Sequence, residues 1–196
     1  MSKIGIFGGT FDPLHTGHLI VAEAVREAFS LDKIIFIPAR LQPFKTRFTP
    51  QLPEHRLEMV RLGIAGNPYF ETSDIEIQRD EVSYTINTIV ELRKILPKNK
   101  VDLFFLLGSD NARNFHRWKE PEKLVKLCEF IAFGRPDSQF DIKANDLTSD
   151  FHFFNAPLIE ISATNIRDRI RKGKSVRYMV PAAVEDYIRK HQLYLK

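Results

Sequence analysis

One cysteine, Cys128, stands in 196 residues, which excludes an intrachain disulfide and a multi-thiolate metal site and fits a reducing compartment. Cys128 is expected in the core. No apolar run approaches the ~20 residues needed to span a bilayer; "LFFLLG" is about the longest and reads as a buried strand. The start has neither the basic segment nor the apolar stretch of a signal peptide, so the expectation is a cytoplasmic protein without membrane contact. Charge of one sign is not in large excess either. The 29 basic and 25 acidic residues leave +4, which suits a phosphate-rich small molecule and does not by itself call for DNA or RNA. The aromatic and basic interleaving of an RNA-recognition motif is missing, so no nucleic acid partner is expected. Neither repeats nor low-complexity segments occur.

What is present is an alternation of periods. "KIGIFG" (Lys3 to Gly8), "KIIFIP" (Lys33 to Pro38), "VDLFFLLG" and "CEFIAFG" are apolar throughout, as strands buried on both faces are. Between them, Val21, Val25 and Ala28, then Leu57, Val60 and Ile64, then Ile86, Ile89 and Val90 recur at helical spacing. The helices are expected from about Thr16 to Ser30, over "EHRLEMVRLGIAGN", and from about Ser83 to Leu96, with "FETSDIEI" (Phe70 to Ile77) as a further strand. Less regular sequence follows, then helices near Ser162 to Lys172 and Pro181 to Gln192, the latter with proline at its first position. The fold class is therefore α/β: a doubly wound, Rossmann-like parallel sheet with helices on both faces and a small C-terminal helical extension. A chain of this length is expected to form one domain, residues 1–196. Arg40 to Pro53, with three prolines and no period, reads as a functional loop.

"GGTFDPLHTGH" (Gly8 to His18) joins the first strand to the first helix, at the end of the sheet where doubly wound folds bind ligands. Gly8 and Gly9 would let the backbone turn sharply and approach a ligand. The helix that follows would offer N–H groups and a partial positive charge to an anion. Neither GxGxxG nor GxxxxGK[ST] can be read here. His15 and His18, three residues apart, share a helical face and could donate to phosphate oxygens or, when protonated, offset charge on a reacting phosphoryl group. A capping turn with structural histidines is the plainer alternative. A metal pair is another, although no third ligand stands nearby.

"GTFDPLHTGH" resembles the signature of the HxGH nucleotidyltransferases, the adenylyl- and cytidylyltransferase superfamily. A second element of that superfamily, ISSTxIR, is matched by "ISATNIR" (Ile161 to Arg167), with Ala163 in place of the second serine. A serine-led helix start followed by an arginine is also, physically, an anion site. "PFK" (Pro43 to Lys45), "HR" (His55, Arg56), "SYTINT" (Ser83 to Thr88) and "LGSDNARNFHRW" (Leu107 to Trp118) narrow the resemblance to the bacterial nicotinate mononucleotide adenylyltransferases, over essentially the whole chain. Phe44 departs from the histidine that often precedes the loop lysine in that family.

The resemblance implies a transferase that moves AMP from ATP to nicotinate mononucleotide, giving nicotinate adenine dinucleotide and pyrophosphate. His15, His18 and Arg167 would be catalytic. ATP would meet Gly8, Gly9, Thr10, Phe11, His15, His18, Asp110, Arg135, Ser162, Thr164 and Arg167. The mononucleotide would meet Thr10, Lys45, Tyr84, Thr85 and Trp118. Mg2+ would be bound through the ATP phosphates rather than by protein carboxylates, and a homo-oligomer is possible. Two other readings stay open: a phosphopantetheine adenylyltransferase, which shares the first motif but typically lacks the SYT segment and the tryptophan, and a non-catalytic nucleotide- or RNA-binding module. Most of "RDRIRKGKSVR" beyond Arg167 reads as solvated helix face.

Overall fold

The six strands of the computed structural model lie in one parallel sheet in the order β3-β2-β1-β4-β5-β6; residues 1–43, 49–97, 100–134, 147–157 and 159–195 are described. They are β1 (Ser2–Gly9), β2 (Lys33–Pro38), β3 (Phe70–Thr72), β4 (Val101–Gly108), β5 (Glu129–Gly134) and β6 (His152–Asn155). The helices are α1 (Thr16–Ala28), α2 (Pro53–Ile64), α3 (Thr85–Ile95), α4 (Ser109–Arg113), α5 (Pro121–Leu127), α6 (Ala163–Arg171) and α7 (Ala182–Lys190), with a 3-10 turn at Phe115–Arg117.

Alternation along each strand builds a core on either face of the sheet. Ile4, Ile6, Ile35, Ile37, Leu103, Phe105 and Leu107 pack with Ile86, Ile89 and Leu92 of α3 and with Leu124 of α5. Phe7, Ile34, Phe36, Phe104 and Leu106 pack on the other side with Ala22 and Val25 of α1 and Val60 and Ile64 of α2. Each such side chain contributes about 1.5 to 3 kcal/mol by leaving water. A third core joins α2 to the C-terminal extension through Met59, Ile166, Val180, Val184, Ile188 and Tyr194. Cys128 is 6% exposed, and burial pushes its thiol up to about 12, as befits a core residue.

The run from Phe70 to Ile77 is not one strand. After Thr72, the Ser73 N–H still donates to Phe36 O of β2 at 3.0 Å, but Ser73 Oγ then accepts from Ile75 N and Asp74 O accepts from Ile77 N and Gln78 N. That serine-aspartate turn takes the chain off the sheet, despite the alternating isoleucines beyond it. Likewise α3 starts at Thr85, not Ser83. The Ser83 hydroxyl accepts from Arg40 N at 2.9 Å and so ties the segment to the end of β2 instead of capping the helix.

The strand order reverses between β1 and β4, and their carboxyl ends open into one cleft of about 930 Å³. This is the crevice that the topology makes available to a ligand.

Candidate active site

His15 and His18 sit at one end of the cleft, at the start of α1. His15 is the N-cap. Its Nδ1 accepts from His18 N at 3.3 Å, and His18 Nδ1 accepts from His15 N at 3.2 Å, a reciprocal capping box built from two imidazoles. A ring nitrogen that accepts carries no proton, so each neutral ring holds its proton on Nε2. The rings stack at 3.5 Å between centroids and 20° between planes. His15 is 7% exposed, and burial lowers its pKa to about 4. At neutral pH His15 is thus an oriented neutral donor. Of the two roles that the sequence leaves open to His15, burial favours the neutral donor, because desolvation disfavours the charged form.

Two further expectations change in their physical basis. Gly8 and Gly9 do not make the turn: both remain in β1, paired with Ile37 and Pro38, and the left-handed conformation falls on Phe11, φ 47°. Gly9 is required for space, since a Cβ there would lie 2.9 Å from the Phe11 ring. Gly17 serves similarly, as its Cβ would lie 3.1 Å from His15 Nδ1. Nor does α1 present open N–H groups throughout its first turn. Thr16 N donates to Met179 O at 2.9 Å and His18 N is held by His15. The donors that α1 offers the cleft are therefore the Gly17 N–H and the imidazoles of the two lining histidines.

The start of α6 faces the same end of the cleft. Ser162 is its N-cap, accepting from Asn165 N at 3.2 Å, and keeps its own O–H to donate. No described hydrogen bond uses the N–H groups of Ala163 and Thr164, so this helix start does offer donors to an anion. Ala163, at the position of the missing hydroxyl, also lines the cleft. Arg167, one turn on, donates from Nη1 to Asp12 O at 2.7 Å and from Nη2 to Thr164 Oγ1 at 3.2 Å.

At the other end, Ser83, Tyr84, Thr85 and Trp118 line the cleft together. Trp118 is half-buried against Phe105 at 5.8 Å and Phe115 at 5.3 Å between ring centroids. Tyr84 is the N-cap of α3 without a side-chain bond, and no described hydrogen bond uses the N–H groups of Thr85 and Ile86. Two aromatic side chains lining the cleft beside the open Thr85 N–H suit an aromatic ring bearing an anionic substituent.

Gly8, Gly9, Thr10 and Phe11 all line the cleft, with Phe11 edge-on to His18 at 5.1 Å. Asp110 does not. It lies in the first turn of α4 beside the lining residues Gly108 and Asn111, with its side chain 93% exposed and 3.5 Å from Arg113. Lys45 and Arg135 lie outside the described residues.

Three residues of this region were not singled out from the sequence for the site. Lys119 lines the cleft next to Trp118, its Nζ 4.7 Å from the centre of the Tyr84 ring; its place directly after the tryptophan was the available signal. Glu76, 7% exposed, accepts from Thr88 Oγ1 at 2.6 Å, and burial holds its carboxyl above the usual range. Arg56, fully buried, donates to the carbonyls of Gln51, Thr10, Ala39 and Arg40 and so shapes the backbone behind the turn. The "HR" pair marked the position of Arg56 but not its task.

Residues 6–169 match the cytidylyltransferase-like family. Over nearly the full length, 99% of this chain and 98% of the relative, the sequence is 42% identical to a probable nicotinate-nucleotide adenylyltransferase of Dehalococcoides mccartyi. It is also 42% identical to a protein of the same description from Dictyoglomus turgidum, covering 98% and 95% of the two chains. Among solved structures, Plasmodium falciparum nicotinic acid mononucleotide adenylyltransferase complexed with NaAD shares the fold, with a TM-score of 0.78 at 22% identity over 99% of this chain and 98% of that one.

Proposed function

The chain belongs to the nicotinate-nucleotide adenylyltransferases, within the cytidylyltransferase-like family, and from that premise we propose that it transfers the adenylyl group of ATP to nicotinate mononucleotide, forming nicotinate adenine dinucleotide and pyrophosphate. The observation that carries the reading is one cleft with a phosphate-binding set at one end and an aromatic slot beside open N–H groups at the other.

The attacking group is an ionised phosphate, so neither a general base nor a covalent intermediate is needed; alignment and charge stabilisation suffice. The attacking phosphate oxygen bonds to the α-phosphorus as the α–β bridging bond breaks, and the electron pair leaves with pyrophosphate. His15 and His18 donate from Nε2 to the α-phosphate oxygens as charge builds there. The backbone from Gly8 to Phe11 lines the approach to the phosphates. Ser162, the Ala163 and Thr164 N–H groups, and Arg167 hold the leaving pyrophosphate, with Arg135 assigned to the nucleoside side of ATP; Asp110, outside the cleft lining, is given no contact with it. Trp118 and Tyr84 frame the pyridine ring, the Thr85 N–H meets its carboxylate, and Lys45 meets the mononucleotide phosphate.

Of the carboxylates lining the cleft, Asp12 is bonded to Tyr194 and Glu76 to Thr88. Mg2+ would accordingly be held mainly by triphosphate oxygens, where it neutralises charge. We assign the enzyme to the cytoplasm and to one catalytic domain, in keeping with its single buried cysteine and with the family match across both motifs.

Pyrophosphate release from ATP, measured with a panel of acceptors, tests the reading. Release with nicotinate mononucleotide, and much less with phosphopantetheine, is the expected result. Release with phosphopantetheine alone would make the protein the other adenylyltransferase, and none with any acceptor would leave a binding module.

A further inference from the structure

The C-terminal extension reaches back to the signature turn by four hydrogen bonds: Tyr194 Oη to Asp12 Oδ1 at 2.6 Å, Arg167 Nη1 to Asp12 O at 2.7 Å, Thr16 N to Met179 O at 2.9 Å and Thr16 Oγ1 to Tyr178 O at 3.1 Å. Two end on Asp12 and two on Thr16, so they bracket Pro13, Leu14 and His15. We propose that the C-terminal extension is a brace for the catalytic turn and that Tyr194, two residues from the end of the chain, is a positioning residue for His15 and His18. The proposal rests on the adenylyl-transfer reading above.

The Tyr194 contact is built inside the protein. Tyr194 is 6% exposed and Asp12 2% exposed, and Tyr194 is held in a left-handed conformation, φ 66°, within the third core beside Met59 and Ile188. A buried carboxylate needs donors on its oxygens. Tyr194 supplies one, and Gln51 N, at 3.3 Å from Oδ2, the other. Without the tyrosine hydroxyl, Asp12 would have to turn towards other donors, and its carbonyl, which accepts from Arg167, would move with it. His15 follows three residues later and holds its ring by a contact with His18 that tolerates little displacement. On the far flank, Tyr178 and Met179 fix the first residue of α1 by their carbonyls. Both the triphosphate grip at Arg167 and the aim of the imidazoles are thereby referred to one frame. Packing in the third core sets that frame.

Tyr194→Phe removes the hydroxyl and keeps the ring, and Thr16→Val removes the bond to Tyr178 at a partly exposed site. Ile34→Val, fully buried in the second core near the amino end of β2 and remote from both flanks, is the control for a loss of stability alone. Steady-state rates for the full-length variants are measured well below their melting temperatures. We expect kcat to fall about tenfold in Tyr194→Phe and about threefold in Thr16→Val, with KM for nicotinate mononucleotide within twofold of wild type, and kcat to be unchanged in Ile34→Val. Wild-type kcat in both flank variants, or an equal fall in Ile34→Val, would overturn the brace while leaving the functional reading intact. Should Tyr194→Phe fail to fold, Thr16→Val decides alone: a reduced kcat with an unchanged melting temperature supports the brace, and an unchanged kcat refutes it. If the wild-type protein makes no nicotinate adenine dinucleotide, the functional reading fails and takes the brace with it.

Discussion

At the end of the cleft proposed to hold the phosphates, His15 and His18 cap one another, Arg167 is held by Asp12 O and Thr164, and Ser162 caps α6. At the acceptor end, Trp118 is held by packing against Phe105 and Phe115, and Tyr84 by the lysine over its ring. Hydrogen bonds fix the direction of a donor, which a transition state with charge developing on particular oxygens requires. Packing fixes the width of a slot, which is enough to bind a flat ring in both ground and transition states. On the proposed reading the two ends divide the task, one governing kcat and the other KM.

Substitutions should separate the two contributions. His18→Ala is expected to lower kcat by at least about 100-fold with the fold intact, as loss of one charge-stabilising donor does elsewhere; a folded variant of near-normal turnover would break the division. Trp118→Ala should raise KM for nicotinate mononucleotide about tenfold and leave KM for ATP within twofold, in keeping with the loss of one aromatic face. A fall in kcat alone would show instead that the ring aligns the attacking phosphate. Lys119→Met should lower kcat/KM for nicotinate mononucleotide about threefold and leave the nicotinamide analogue unchanged, a small effect because the lysine is exposed and screened. Equal changes with both substrates would remove Lys119 from discrimination. The smallest effect is expected from pH. With His15 neutral in the fold, kcat should stay within twofold from pH 7 to 9, whereas a required imidazolium of ordinary pKa would lose about tenfold per unit.

Acid acts on stability rather than on this plateau. The His15 pKa is lowered from 6.5 to about 4 in the fold, so the unfolded chain takes up the proton more readily in that window. Its contribution is complete above pH 6.5 and declines as pH falls towards 4, by at most about 1.4 kcal/mol per unit. Thermal melts of wild type and His15→Asn between pH 4 and 7 would show this as a steeper acid slope in the wild type.

The sheet and the phosphate end were legible in the sequence because their signals are local. Continuous apolar runs mark strands buried on two faces, and both anion motifs lie where a loop enters a helix. Boundaries failed where a side chain turned the backbone: Ser73 and Asp74 end β3 early, and Ser83 bonds to Arg40 N instead of capping α3. His15 and His18 could be placed from sequence, but the charge of His15 could not, since it follows from burial and from the bond that its Nδ1 accepts. Arg56, Glu76 and Tyr194 act across 46, 12 and 182 residues of sequence respectively. Nothing in their neighbourhoods announces such contacts.

The most direct test of the central claim is nitrogen-15 NMR of the histidine rings in uniformly labelled protein, titrated from pH 8 to 5. The bond accepted at each Nδ1 predicts the Nε2–H tautomer for both rings in their neutral form, with His15 still neutral at pH 5. A neutral ring with its proton on Nδ1, or a His15 that titrates near 6.5, would contradict it.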